Sequence, residues 1–295
     1  MTTTQTTTQA TTQATAQHPA PRPHTLNAGG ITLSALLSLP PDGTPVRSTI
    51  LAIHGRGMRA AYWNSFAPLA TALGHAVLAV DRPGYGDSAD QLPDGQSLAD
   101  QAETLHAALK EHAAEYDIGA GILLLGHSDG GKVALHTAAA DGGGTPLLGL
   151  DASGVGHHYN PRALHFPSTL GAGATKLNWG PLNLYPQGTF RASRSLLAPT
   201  PPRESAETLR WPGQYEALAP HVRIPVRLTF AEHEAWWHLD APTLTAMTNR
   251  LTAAPSVTVD HLAASGHNIS LGHTAPAYHL RVLTFLEDCL RTAPH

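Results

Sequence analysis

The chain has one cysteine in 295 residues, Cys289, so no internal disulfide can form and nothing demands an oxidising compartment. Cys289 falls in a helical pattern near the C-terminus and reads as packing rather than as a nucleophile. There is no basic excess either. Eighteen Lys+Arg against 22 Asp+Glu leave a net charge of −4, which argues against a nucleic-acid partner held by phosphate contacts. No run reaches the roughly 18 apolar residues that cross a bilayer. Met1 to Ala20 is a Thr/Gln/Ala tract without the basic start or apolar stretch of a secretory signal. It is too polar to offset its ordering entropy, and residues 1–24 are expected to be a disordered tail. A phosphate-binding glycine loop, a dinucleotide fingerprint and Cys-rich metal spacing are also missing. His157-His158 lacks a clear third ligand. The expectation is therefore no metal, no cofactor, a small-molecule partner and a cytoplasmic setting. Oligomeric state has no signature.

What is present suits one large α/β domain over residues 25–295, with 42% hydrophobic residues. Most of the 19 histidines read as surface residues. Short apolar runs predict strands at Ile31–Leu36, Thr49–Ile53, Ala76–Val80, Gly121–Leu125, Pro146–Leu150, Val226–Phe230 and Ser256–Val259. Helical patterns fall between them: Tyr62–Leu73, Ser97–Tyr116 with Ser97 as N-cap, Gly131–Ala140, Ala241–Leu251 and Pro276–Leu290. Strands alternating with helices predict a mostly parallel central sheet covered on both faces. Ligands bind such sheets beyond the carboxyl ends of the strands.

Residues 155–215 break this rhythm. They are rich in Gly, Pro and aromatics, among them His157, His158, Tyr159, Phe166, Trp179, Tyr185, Phe190, Trp211 and Tyr215. An irregular stretch of this length, entered after the strand ending near Asp151, is expected to form a lid or cap over the mouth of the sheet.

Gly126-His127-Ser128-Asp129-Gly130 reads G-x-S-x-G and sits between a predicted strand and a predicted helix. The glycines let strand and helix approach, and the sharp turn pushes the serine hydroxyl outward. Three further segments accompany it: His54-Gly55-Arg56-Gly57, the turn Asp81-Arg82-Pro83-Gly84-Tyr85-Gly86-Asp87-Ser88, and Ser265-Gly266-His267-Asn268. On these four motifs the chain resembles the α/β-hydrolase family over about residues 28–290, with 155–215 matching poorly.

The resemblance implies Ser128 as nucleophile and His267 as its base, with His261 and His273 as competitors. It implies an orienting acid after the Phe230 strand. Glu234 falls where the family usually has Asp, one methylene longer, and Glu232 and Asp151 are the other carboxylates open for the role. Oxyanion donors would be the backbone N–H groups of Asp129 and Arg56. Arg56 would also bring a cation beside the substrate, whereas the Asp129 side chain has no assigned role. His54, Gly55, Trp179 and Tyr185 are expected substrate contacts, and the Asp81–Ser88 turn is read as architectural. The implied chemistry is acyl-enzyme hydrolysis of a carboxylic ester, thioester or lactone of a small apolar or ring-bearing molecule. An acyltransferase or cyclase with the same triad, and a non-catalytic binding protein on the same fold, stay open as alternatives.

Overall fold

A computed structural model describes residues 20–140, 144–165 and 172–292. Among them, eight strands form one sheet: β1 (Arg22–Ala28), β2 (Ile31–Ser38), β3 (Ser48–Ile53), β4 (His75–Val80), β5 (Ile122–His127), β6 (Leu147–Ser153), β7 (Val226–His233) and β8 (Val257–Gly266). Their order is β1-β2-β4-β3-β5-β6-β7-β8. β2 pairs antiparallel with both β1 and β4, and every other pairing is parallel. The α-helices are α1 (Ala67–Ala72), α2 (Leu98–Glu115), α3 (Asp129–Ala139), α4 (Ala172–Trp179), α5 (Thr189–Ala192), α6 (Pro202–Glu207), α7 (Trp211–Leu218), α8 (Ala241–Thr248) and α9 (Ala275–Thr292).

The central strands are buried along their whole length because both faces are covered. Alternate residues feed two cores. Leu51, Ile53, Leu78, Val80, Ile122 and Leu124 pack with Leu98, Leu105 and Leu109 of α2 and Val133 of α3. Ile50, Ala52, Val77, Ala79, Leu123 and Leu125 pack on the other face with Ala67 and Ala70 of α1 and with Tyr278, Val282 and Leu286 of α9. Ser97 caps α2, accepting from the Asp100 N–H at 3.1 Å.

Three expectations are corrected. Residues 1–19 lie outside the described residues, but Arg22–His24 open β1 and pair with Leu37–Ala35. This edge strand has only two buried residues, Leu26 and Ala28, and so shows no apolar run. The helix expected over Tyr62–Leu73 is split into a single 3₁₀ turn (Ala60–Trp63) and α1, with Pro68 in the first turn of α1, where its missing N–H costs nothing. Within 155–215, Trp211 and Tyr215 lie in the main core, next to α3, rather than over the sheet mouth. Trp179, Leu184 and Tyr185 form a separate small cluster, with Phe190 packed against it. Phe166 lies outside the described residues.

The turn from β5 into α3 is held by close backbone approach. A Cβ on Gly130 would run into the carbonyl oxygens of Ile53 and His54, and one on Gly126 would meet the Gly131 Cα at 2.5 Å. Gly130→Ala should therefore lower unfolding stability by about 1–3 kcal/mol or prevent folding, as overpacking does; urea denaturation of the variant checks this.

Candidate active site

Three strand ends converge on one point. β5 ends at His127, and Ser128 follows at φ 53° and ψ −123°, a left-handed conformation that side chains avoid. β8 ends at Gly266, and His267 follows. β7 ends at His233, and Glu234 turns back, its N–H donating to the Ala231 carbonyl at 3.1 Å. Ser128 Oγ stands 3.0 Å from His267 Nε2, and His267 Nδ1 stands 2.7 Å from Glu234 Oε2. The His267 and Glu234 side chains are 3% and 1% exposed. The second carboxylate oxygen of Glu234 accepts the Trp236 N–H at 3.0 Å, which fixes the longer side chain against its partner. A carboxylate can only accept, so Nδ1 carries the ring hydrogen and Nε2 is left to accept from the serine.

The other carboxylates are committed elsewhere. Asp151 is buried beneath the sheet mouth, bonded to Arg227 and 3.4 Å from the Tyr278 hydroxyl. Glu232 is exposed and accepts the Ala264 N–H at 2.6 Å. His261 and His273 are exposed and do not line the cavity beside Ser128.

That cavity has a volume of about 630 Å³. Gly55, Arg56, Asp129, Lys132 and Trp179 line it together with Ser128 and His267, and so do Trp236 and Trp237, which are not among the expected contacts. The signal for them is the aromatic pair two residues beyond Glu234. Gly55 runs tight against the serine, since a Cβ there would lie 3.2 Å from the Ser128 Cβ. Asp129 is the first residue of α3, where an N–H has no intrahelical acceptor.

Two expected contacts fall outside the cavity. The His54 ring is wholly buried. Its Nε2 accepts the Arg82 N–H at 3.1 Å and its Nδ1 donates to the Gly55 carbonyl at 2.8 Å, so it braces the loop from behind. Burial and nearby Arg82 lower its pKa well below the usual histidine value, and the ring stays neutral. Tyr185 packs behind Trp179, ring centroids 4.9 Å apart. Among the described residues no group of three or more His, Cys, Asp or Glu is placed to hold a metal ion.

The Asp129 side chain is the hub of a buried ion network. Its Oδ2 is 2.5 Å from Arg56 Nε and its Oδ1 is 2.7 Å from Lys132 Nζ. Arg56 lies 3.8 Å from Glu204, which pairs with Arg82 at 2.7 Å and accepts the Tyr85 hydroxyl at 3.1 Å. Burial alone would raise the Asp129 pKa, but Arg56, Lys132 and Arg82 outweigh it and hold the carboxyl below the usual carboxylate range. Burial likewise works against the Lys132 ammonium, and Asp129 more than compensates. Tyr159, Trp211 and Trp237 surround that ammonium, with ring centroids at 5.4, 5.4 and 5.2 Å. Glu204 and Arg82 are far apart in sequence, so no local pattern announces their pairing.

Comparison with known proteins agrees with this architecture. The profile of the "Alpha/beta hydrolase family" matches residues 50–284. A protein of Cronobacter sakazakii named as carbamate hydrolase RutD is 38% identical over 101 residues, 34% of each chain. The chain thus spans about a third of the length of the curated relatives it matches. A thermostable carboxyl esterase from Bacillus coagulans superposes with a TM-score of 0.69 at 16% identity, over 92% of this chain and 99% of that one. A monoglyceride lipase from Saccharomyces cerevisiae superposes at 0.70 and 16% identity, over 95% and 99%.

The geometry separates the three carboxylates. Glu234→Gln is expected to lower kcat on the order of 10³–10⁴-fold, as loss of an orienting acid does. Glu232→Gln should change it little. Asp151→Ala should cost about 3 kcal/mol of stability, because it breaks a buried pair, while the folded fraction keeps its activity. Steady-state kinetics and urea unfolding on the three variants check this.

Proposed function

The chain belongs to the alpha/beta hydrolase family, and on that premise we propose that this hydrolytic enzyme is a serine hydrolase acting through an acyl-enzyme. One observation carries the reading: an unbroken line from Ser128 Oγ through His267 to Glu234, at 3.0 and 2.7 Å, opening on a cavity. Ser128 Oγ attacks the substrate carbonyl while His267 Nε2 takes its proton. The imidazolium that forms is held by the Glu234 carboxylate. The backbone N–H groups of Asp129 and Arg56 receive the developing oxyanion, each worth about 2.7–4 kcal/mol by analogy with other oxyanion holes. His267 then protonates the departing alcohol or thiol, activates water, and the ester to Ser128 is hydrolysed.

The cavity supports a substrate of modest size with an apolar or ring-bearing part, since Trp179, Trp236, Trp237 and Phe190 line it. Carboxylic esters, thioesters and lactones fit this chemistry. Within residues 155–215, the part that covers the site in this reading is the stretch that supplies Tyr159, Asn178, Phe190, Leu197 and Thr208, all of which reach the cavity. A cytoplasmic setting is consistent with the single cysteine, buried and unpaired.

A fluorophosphonate probe is expected to label the native chain at one site and to leave Ser128→Ala unlabelled. A native chain that takes up no probe, or a Ser128→Ala variant that labels as well as the native chain, overturns the reading.

A further inference from the structure

The cavity is cationic in an acidic protein. Arg56, Lys132 and Arg194 line it against a single carboxylate, Asp129, whereas the whole chain carries −4. Asp129 has no charge to spare, since one oxygen serves Arg56 at 2.5 Å and the other Lys132 at 2.7 Å. Glu204 stands behind the wall, fully buried; it is committed to Arg82 and Tyr85 and lies 3.8 Å from Arg56 Nε. Glu234 does not line the cavity.

Lys132 is spent on Asp129 and on the Tyr159 hydroxyl at 2.9 Å, but the two arginines are less fully used. Arg56 spends Nε on Asp129, and its Nη2 reaches the Thr208 hydroxyl at 2.8 Å and the Glu204 carbonyl at 3.3 Å. Its Nη1, with two N–H groups, has no acceptor among the described residues, and the side chain is 15% exposed on the cavity wall. Arg194 is exposed at the same cavity and has no carboxylate partner among the described residues. The guanidinium at residue 56 is also pre-positioned. Asp129 and Thr208 fix its plane, so little rotamer freedom is left to lose when an anion arrives.

Building on the serine-hydrolase reading, we propose that Arg56, assisted by Arg194, binds a carboxylate carried by the substrate, and that the enzyme prefers esters bearing such an anion. The aromatic walls take the apolar part of the same molecule, and the guanidinium takes its charged end. Charge-assisted bonds from a planar guanidinium in a partly enclosed site are strong and directional. The Asp129 pairing holds Arg56 in place without neutralising the lining as a whole.

Two matched pairs of esters test this. The first is p-nitrophenyl hydrogen adipate against the neutral ester in which an isopropyl group replaces the carboxylate. The second is phenyl acetate with a para-carboxymethyl group against its para-isobutyl counterpart. At low salt the anionic member of one pair should have a kcat/KM at least about tenfold higher, the size expected of one charge-assisted hydrogen bond. Arg56→Gln and Arg194→Gln should each bring that ratio toward unity, whatever they do to absolute rates. Which pair responds tells whether the anion sits on the acyl or the alcohol side. Neutral esters turned over as well as the anionic ones, or a preference unchanged in both variants, would overturn the proposal. Phosphonate labelling of Ser128 keeps the two readings apart: labelling without anion preference strikes down only this inference, whereas no labelling and no turnover strikes down the hydrolase reading and this with it.

Discussion

Ser128 holds a backbone conformation of φ 53° and ψ −123° because a buried strand feeds directly into a helix there and leaves the chain no other path. Such a residue stores strain on the order of 1–3 kcal/mol, which persists only where the surroundings over-determine it. Here they do. β5 is buried along its whole length, α3 lies against the end of β3 through Gly130, and the Ser128 N–H is tied to the Ser153 carbonyl at 2.8 Å. Every other part of the site is measured from this turn. The Ser128 hydroxyl lies 3.0 Å from His267 Nε2, Asp129 at the start of α3 lines the same cavity, and β7 and β8 end within reach of it.

The second requirement is electrostatic. Three cations and two carboxylates, Arg56, Arg82, Lys132, Asp129 and Glu204, are removed from water beside that turn. Burying such charges is costly unless each has partners with good geometry. The short contacts around Asp129 and Glu204 meet that condition. The same pairings tie α6, from the segment between β6 and β7, to the first turn of α3, so a change in that segment is felt at the residue next to Ser128. The network leaves a surplus of positive charge on the cavity wall, and that surplus carries the inference about an anionic substrate.

The fold was legible wherever one chemical signal dominated. Continuous apolar runs gave the central strands, and Ser97 and the α2 stripe gave that helix. The serine, the histidine loop and the carboxylate after the Phe230 strand were readable because each follows a strand in a short motif. What escaped had other causes. β1 is a half-exposed edge strand and carries almost no hydrophobic pattern. His54 looked like a substrate contact by position, yet its ring is spent bracing the Arg82 and Gly55 backbone. Tyr185 and Trp179 read alike as aromatics of one segment, and only packing decides that one faces the cavity while the other backs it. The role of Asp129 depends on Arg56, Lys132 and, through Arg56, Glu204, a set of partners that no periodicity brings together.

The central claim is that Ser128, His267, Glu234 and two backbone amides act as one unit on a carbonyl. A crystal structure of the chain inactivated by a small phosphonate ester tests it most directly. The expected result is phosphorus bonded to Ser128 Oγ, one phosphonyl oxygen within hydrogen-bonding distance of the Arg56 and Asp129 amides, and His267 still bridging to Glu234. An adduct on another residue, or a phosphonyl oxygen directed away from both amides, would contradict it.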